Sequence, residues 1–164
     1  MSKQTRSKNS YHTTLYQLAK DIWVVCPQCE KRAIIDTGGF HSFEKTSHTI
    51  KLVCSHCGHN KYLENVIHRI DPKQKQGKVL IFGEPIDPFF HIPLWLQSEF
   101  EGNILWAYNL EHLQLLEEHV GAKLRERNQQ NFNVRSLGAR LPKWMTAAHN
   151  REAILKQIQK LKAK

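Results

Sequence analysis

The sequence predicts an α+β protein in which short antiparallel strands come first and helices come last. Two observations carry this prediction. Around the cysteines of the first half, apolar and polar residues alternate with the period of a strand. From residue 109 onward, apolar residues recur every three or four positions, as on one face of a helix. We expect a disordered basic tail at 1–14, a strand-rich unit at 15–70, a connecting strand and aromatic segment at 71–108, and a basic helical subdomain at 109–164.

Three short antiparallel strands are predicted within residues 15–70. Residues 49–53 alternate between apolar and polar side chains, residues 32–35 follow the first cysteine pair, and residues 62–70 are rich in β-formers. The polar residues from Gly38 to Ser47 are expected to form the loop that joins the first strand to the second.

All four cysteines of the chain form two matched Cys-x-x-Cys pairs, Cys26 with Cys29 and Cys54 with Cys57, separated by 24 residues. Each pair places two thiolates on one side of a tight turn, and two facing turns present four sulfurs at the corners of a tetrahedron. The pattern predicts one structural Zn²⁺ held by these four residues. Iron suits the same cage, so the choice of metal stays open at this point. Gly58 supplies a backbone that can turn sharply after the second pair.

Two other interpretations of the cysteines are weaker. A pair of disulfides would require an oxidising compartment, yet residues 1–10 are polar and basic and contain no apolar core of a secretory signal. A redox dithiol at Cys26 and Cys29 gives no reason for a second matched pair. Thiol ligands without a targeting segment indicate a cytoplasmic protein.

The segment from Trp23 to Ile67 resembles a zinc ribbon of the bacterial type, a module found in transcription factors, ribosomal proteins and many uncharacterised proteins. The resemblance is limited to the two Cys-x-x-Cys turns and covers about a quarter of the chain. It implies that the four cysteines are the zinc ligands and that the module binds or scaffolds another molecule. It implies no particular ligand.

Charge is divided unevenly along the chain. The net charge is +9 overall, residues 71–120 carry −5, and residues 121–164 carry 11 Lys and Arg against two Asp and Glu. A basic end on an otherwise near-neutral protein is typical of nucleic-acid binding, because neutralised phosphates release counterions. A basic helix can equally be a solvated face, so the charge leaves DNA, RNA and an acidic protein partner open.

The helical subdomain has three predicted parts. Asn109 is expected to cap a helix that ends near Asn128. Pro142 must kink or restart a second helical stretch that begins near Leu137, and Asn150 is expected to cap the last helix. The cations chosen for phosphate contacts are Arg135, Arg140, Lys143, Arg151 and Lys156.

The last helix allows three interpretations. It could lie on a membrane surface, along a phosphate backbone, or against its own domain with its lysines in water. The third is the default. Membrane attachment is the weakest of the three, because the helix has no aromatic anchor and a narrow apolar face, and no apolar run of the chain reaches the length of a membrane span.

The segment 79–108 is unusually aromatic. Residues 79–82 are expected to form a short buried strand, and Pro93 is expected to open a short helical turn. The aromatic side chains of residues 88–108 either stack bases or dock a partner, or they form plain core under a small domain. Core is the stronger interpretation, because large aromatic side chains contribute most when buried.

The sequence favours a protein without enzymatic activity or a small-molecule substrate. A zinc ion held by four cysteines has no open position for an activated water. His56 and His59 flank the second cysteine pair, but histidines beside a metal cage are usually solvent or supporting groups. Acidic residues near residue 87 are ordinary for a turn-rich segment, and no phosphate-binding glycine loop or nucleophile motif is present.

Overall fold

The computed structural model describes residues 11–38, 40, 47–67, 80–122 and 136–164. Within them the chain forms a short helix, a four-stranded sheet, a two-stranded sheet and a set of C-terminal helices, which confirms the predicted α+β class. The predicted tail reaches residue 14, and the described part of it includes Tyr11 and Thr14, both buried. Thr14 caps helix α1 (Leu15–Leu18) through a capping box with Gln17.

The larger sheet is antiparallel, with its strands in sequence order: β1 (Asp21–Val25), β2 (Arg32–Asp36), β3 (Ser47–Val53) and β4 (Asn60–Ile67). Strands β2, β3 and β4 are the three predicted from sequence. Residues 21–25 pair with β2 along their whole length and so add a fourth strand. One face of the sheet is buried, as its alternating apolar residues require; the buried side chains include Ile22, Val24, Ala33, Ile35, Ile50 and Leu52.

The outer edge of β1 is covered by residues from the aromatic segment. The Val25 N–H donates to the Pro93 carbonyl (2.9 Å), and the Trp95 N–H donates to the Trp23 carbonyl (2.8 Å). The helical turn predicted at Pro93 is therefore wrong: this residue is extended, and its carbonyl pairs with a strand. The reason is tertiary, because β1 presents unpaired backbone groups that the segment satisfies.

The buried strand predicted at residues 79–82 is also wrong for the part that the structure describes. Residues 80–82 form no strand, and residue 79 lies outside the described ranges. Phe82 instead inserts its ring among other aromatic rings, with ring centroids 4.6 Å from Tyr16 and 6.2 Å from Phe89. Side-chain packing of this aromatic residue, rather than backbone pairing, fixes the segment.

A hairpin follows, made of β5 (Leu96–Phe100) and β6 (Asn103–Ala107). Its two turn residues, Glu101 and Gly102, both have positive φ (47° and 76°), as a two-residue hairpin turn with right-handed strand twist requires.

Helix α2 (Leu110–Gly121) begins at the predicted cap, where the Asn109 side chain accepts a hydrogen bond from the His112 N–H (2.9 Å). The described helix ends at Gly121, and the predicted extension to Asn128 lies outside the described residues. Helices α3 (Leu137–Arg140) and α4 (Lys143–Thr146) are separated at Pro142, which confirms the predicted restart.

The last helix, α5 (Arg151–Lys162), follows a 3₁₀ turn at Ala148–Asn150. Asn150 precedes this helix, but its side chain does not cap it, contrary to prediction, because the 3₁₀ turn gives Asn150 a helical backbone (φ −87°, ψ −12°) and not the extended one of a capping residue. Its side chain donates to the Trp144 carbonyl (3.0 Å). None of the helices formed by the described residues is both long and apolar enough to cross a bilayer.

A single cluster of buried apolar residues connects the sheet to the helices. It includes Ile22 and Leu52 from the sheet, Leu113 from α2 and Ile158 from α5. The four-stranded sheet and the C-terminal helices therefore share one core in the described structure, with the cysteine turns at one end of that sheet.

Candidate functional site

The first cysteine turn joins β1 to β2 and is closed by two backbone hydrogen bonds. The Cys26 N–H donates to the Lys31 carbonyl (2.8 Å), and the Glu30 N–H donates back to the Cys26 carbonyl (2.9 Å). Glu30, directly after Cys29, has φ +59°, the left-handed conformation that favours glycine.

The second turn joins β3 to β4 with the same geometry. The Cys54 N–H donates to the His59 carbonyl (2.8 Å), and the Gly58 N–H donates to the Cys54 carbonyl (3.0 Å). Gly58 has φ +73° and occupies the position equivalent to Glu30. The sequence identified Gly58 as a turn residue and missed Glu30. The position of Glu30 could have indicated its turn conformation, because Glu30 and Gly58 each directly follow the second cysteine of their pair.

The two turns bring all four cysteines together. Their sulfur atoms lie within 4.8 Å of one another. Across the two turns, the Cys26 and Cys57 sulfurs are 3.7 Å apart and the Cys29 and Cys54 sulfurs are 3.6 Å apart. A tetrahedral ion with metal–sulfur bonds of about 2.3 Å requires sulfur separations of about 3.8 Å. The four residues therefore fit a metal ion without rearrangement of the backbone.

The same distances do not fit disulfides. A disulfide has a sulfur–sulfur length of about 2.0 Å, far below the 3.6 and 3.7 Å seen here, and all four thiols are free. The close sulfurs also belong to different turns, not to the same Cys-x-x-Cys pair.

Burial differs within each pair. Cys26 and Cys54 are fully buried and belong to the core cluster, whereas Cys29 is half-buried and Cys57 is exposed. The first cysteine of each turn thus anchors the site to the sheet, and the second closes it toward solvent.

The thiols are electrostatically inequivalent. Burial alone would raise the pKa of Cys54, but the backbone N–H groups of Cys57 and His56 and the neighbouring thiols lower it to about 7. For Cys29, the Lys31 N–H lowers the pKa, but burial and the other three thiols outweigh it and raise the pKa to about 12. One thiolate forms easily and further ones are opposed by their neighbours, so a cation would relieve the accumulated negative charge.

The neighbouring histidines do not join the sulfurs. Among the residues that the structure describes, the metal-ligand cluster consists of the four cysteines only. His56 is exposed, and His59 contributes its backbone carbonyl to the turn.

Asp87 stabilises the backbone of the residues that follow it. The buried Asp87 carboxylate accepts hydrogen bonds from the backbone N–H groups of Phe89 (2.9 Å), Phe90 (2.7 Å) and Ile92 (2.6 Å). Burial raises the pKa of Asp87, and these three donors oppose that shift. The side chain therefore holds the irregular 87–92 loop in place.

The predicted phosphate-contact residues fall into two groups. Arg140, Lys143 and Lys156 are exposed, and Arg135 lies outside the described residues. Arg151 is half-buried, and its Nε donates to the Val120 carbonyl at the end of α2 (3.1 Å). On α5, Lys156 lies about 140° around the helix from Arg151, so the two do not share a face.

Two other cations of the basic end, Lys162 and Lys164, contact other parts of the protein. Lys162 forms an ion pair with Glu117 of α2 and also donates to Gln114. Lys164 donates to the Trp95 carbonyl (2.9 Å) and lies 4.6 Å from the centre of the Trp95 ring. Part of the basic end is thus neutralised by the acidic middle of the chain, which the sequence alone did not reveal.

The aromatic segment is mainly core, as favoured from sequence. Phe89 and Tyr108 are fully buried, and Trp95 is half-buried under Lys164.

Comparison of the chain with known protein families, with characterised proteins and with solved structures finds no match.

Proposed function

We propose that this chain is a non-catalytic zinc-ribbon module that binds DNA or RNA through the basic C-terminal helices. The observation that carries the proposal is the group of exposed cations on α3, α4 and α5, namely Arg140, Lys143 and Lys156. These side chains remain available to phosphates while Arg151, Lys162 and Lys164 contact other parts of the protein. Exposed Lys and Arg on one end of a chain of net charge +9 give the electrostatic attraction that nucleic-acid binding uses.

Zinc is the metal we assign to the four cysteines. A closed set of four thiolates supports a structural ion, which would stabilise the two turns and leave no coordination position for substrate or water. This supports a binding role over a catalytic one. Elemental analysis of protein purified without added metal is expected to find about one zinc per chain, and one iron per chain would contradict the assignment.

Salt dependence tests nucleic-acid binding. The logarithm of the affinity for a single strand or duplex should fall linearly with the logarithm of the salt concentration, with a slope set by the number of phosphates neutralised. The triple variant Arg140→Ala/Lys143→Ala/Lys156→Ala should bind weakly and with a shallower slope.

The matched control removes three exposed cations from the ribbon, Lys31→Ala/Lys51→Ala/Lys61→Ala, with the same change of net charge. Equal losses in both triple variants would place binding elsewhere than the helices. Absence of binding by the wild-type protein at about 50 mM salt would overturn the proposed function.

A second candidate function is that of a protein-interaction subunit. Three large apolar side chains are exposed on the outer face of the four-stranded sheet: Ile34 (41%), Val53 (48%) and Tyr62 (58%). Ile34 and Val53 are cross-strand neighbours, and Tyr62 pairs with Lys51 on the adjoining strand. Contiguous exposed apolar residues are typical of partner surfaces. Recovery of one stoichiometric protein partner after nuclease treatment would favour this function, and loss of that partner in a Tyr62→Glu variant would locate the surface.

A further inference from the structure

A cavity of about 720 Å³ lies between the start of the aromatic segment, the β5–β6 hairpin and helices α2, α3 and α4. Its volume falls within the range of about 300–1,000 Å³ that small-molecule sites occupy. Three aromatic side chains, Phe82, Trp106 and Trp144, line it together with buried apolar residues such as Leu116 and Met145. The cavity therefore suits a flat and largely apolar group.

The aromatic walls are held in fixed orientations. The Trp144 ring is stacked on Phe100, with centroids 5.7 Å apart and planes 20° apart. The Trp106 ring meets His112 edge-on, with centroids 5.4 Å apart and planes at 90°. Preoriented rings bind a planar ligand at a small entropic cost, because they do not need to be ordered on binding.

His112 contributes hydrogen-bonding capacity to the wall without charge. Its side chain is buried, and burial lowers its pKa to about 3, so the ring is neutral at physiological pH. Its Nδ1 accepts a hydrogen bond from the Tyr108 N–H (3.2 Å), which places the ring proton on Nε2.

The charged lining residues, Glu84 and Arg140, are both exposed and so lie toward the solvent side of the cavity. Lys143, also exposed, follows the lining residue Pro142 and precedes Trp144. Arg140 and Lys143 attract negative charge and Glu84 repels it, so a ligand that fits presents a flat aromatic part to the interior and its negative charge on the side of Arg140 and Lys143, away from Glu84. A free inorganic anion would gain nothing from the apolar walls, and a neutral apolar molecule would gain nothing from the cations.

We propose that this cavity receives an unpaired base of a single-stranded nucleic acid whose phosphates contact Arg140 and Lys143. A base combines a planar aromatic ring with hydrogen-bonding edges, and its own strand supplies the negative charge. In a duplex the base is stacked and paired, so its entry would require unpairing. The inference rests on the proposed nucleic-acid function and adds to it a preference for single strands.

The test measures the affinity of the metal-loaded protein for a fluorescent single strand of about 12 nucleotides of mixed sequence, made as DNA and as RNA, and for the matching duplexes. At equal salt, one single strand should bind at least about fivefold more tightly than its duplex. This corresponds to the lower end of base–aromatic stacking.

Two charge-matched variants locate the contact. Ile104 lines the cavity and is 46% exposed, and Leu110 at the start of α2 is 42% exposed and is not among the lining residues, so either position should accept glutamate without loss of folding. Ile104→Glu should weaken single-strand binding at least about fivefold, and Leu110→Glu by less than about twofold. Circular dichroism would confirm that both variants are folded.

The outcomes separate the two proposals. If the wild-type protein binds but the Ile104→Glu and Leu110→Glu variants lose affinity equally, or if duplex binds as tightly as single strand, the cavity proposal is wrong while the proposed function stands. If no nucleic acid binds at low salt, the proposed function falls and the cavity proposal falls with it.

Discussion

Glu30 and Gly58 occupy equivalent left-handed backbone positions, each one residue after the second cysteine of its pair. A side chain at such a position is strained, and the strain is of order 1 kcal/mol. A β-carbon added at Gly58 would meet no atom within 4 Å, so steric clash does not add to it.

We therefore expect Gly58→Ala to lower the free energy of unfolding by about 1 kcal/mol, because the backbone strain outweighs the reduced freedom of alanine in the unfolded chain. Glu30→Gly should leave it unchanged or raise it by up to about 1 kcal/mol, because relief of strain opposes the greater freedom of glycine in the unfolded chain. Urea unfolding of the metal-loaded proteins measures both changes. If the free energy of unfolding of the Gly58→Ala variant equals that of the wild type, the turn does not enforce the left-handed conformation.

The burial of His112 predicts that the stability of the protein depends on pH. Burial lowers its pKa from 6.5 to about 3 in the folded protein, so the unfolded chain binds the proton more readily. Its contribution to stability is complete above pH 6.5 and is lost as the pH falls toward 3, at about 1.4 kcal/mol per pH unit.

The His112→Gln variant retains an acceptor for the Tyr108 N–H but cannot gain a proton. Between pH 7.5 and pH 5.5, we expect the wild type to lose about 1.4 kcal/mol more stability than this variant. Comparison of the two proteins cancels the pH dependence that they share. Equal slopes with pH would mean that His112 is not buried as a neutral ring.

At the scale of elements, Asn109 connects helix α2 to the first part of the chain. Its oxygen caps α2 through the His112 N–H, and its amide nitrogen donates to the carbonyls of Leu18 (2.7 Å) and Asp21 (2.9 Å). The sequence predicted the cap, because Asn is a preferred cap residue directly before an apolar helical stripe. It could not predict the two other hydrogen bonds, because they join residues that are 91 and 88 positions apart in the sequence.

Asn109→Ala should destabilise the protein by about 2–4 kcal/mol, since it leaves one N–H and two carbonyls without this buried partner. Asn109→Ser should recover about 1 kcal/mol of that loss, because serine restores the cap but not the bonds to residues 18 and 21. Thermal or urea unfolding provides the measurement. A serine variant as unstable as the alanine variant would contradict a capping role.

Helix-start signals in the sequence do not always produce a helix start in the structure. Asn150 has the same chemistry as Asn109 but does not cap α5, because the 3₁₀ turn, across which its side chain donates to the Trp144 carbonyl, gives it a helical backbone. Pro93 carries a helix-opening signal and is extended, because β1 offers its backbone groups nearby. Local preference is a weak determinant wherever a tertiary hydrogen bond competes with it.

At the scale of the whole molecule, the cysteine site and the helices share one core. Cys26 and Cys54 belong to the same buried cluster as Leu113 of α2 and Ile158 of α5. Metal binding should therefore stabilise the helices as well as the four-stranded sheet.

Chelation of the metal, or the Cys26→Ser substitution, is expected to unfold the four-stranded sheet and to reduce amide hydrogen-exchange protection in α2 and α5 together with it. Hydrogen exchange read by mass spectrometry resolves the elements separately. Retained protection in both helices after metal removal would show that they fold independently of the four-stranded sheet, as separate subdomains would.

The sequence by itself determined the α+β class, the four-cysteine cluster and the start of helix α2. These features depend on spacing, periodicity and cap residues, which are properties of short stretches of chain. Only the tertiary structure decided that Lys162 meets Glu117, that Arg151 holds the end of α2, and that Trp106, His112 and Arg140 line one cavity. The physical reason is that these contacts join segments tens of residues apart, and packing of the shared core, rather than any local pattern, brings those segments together.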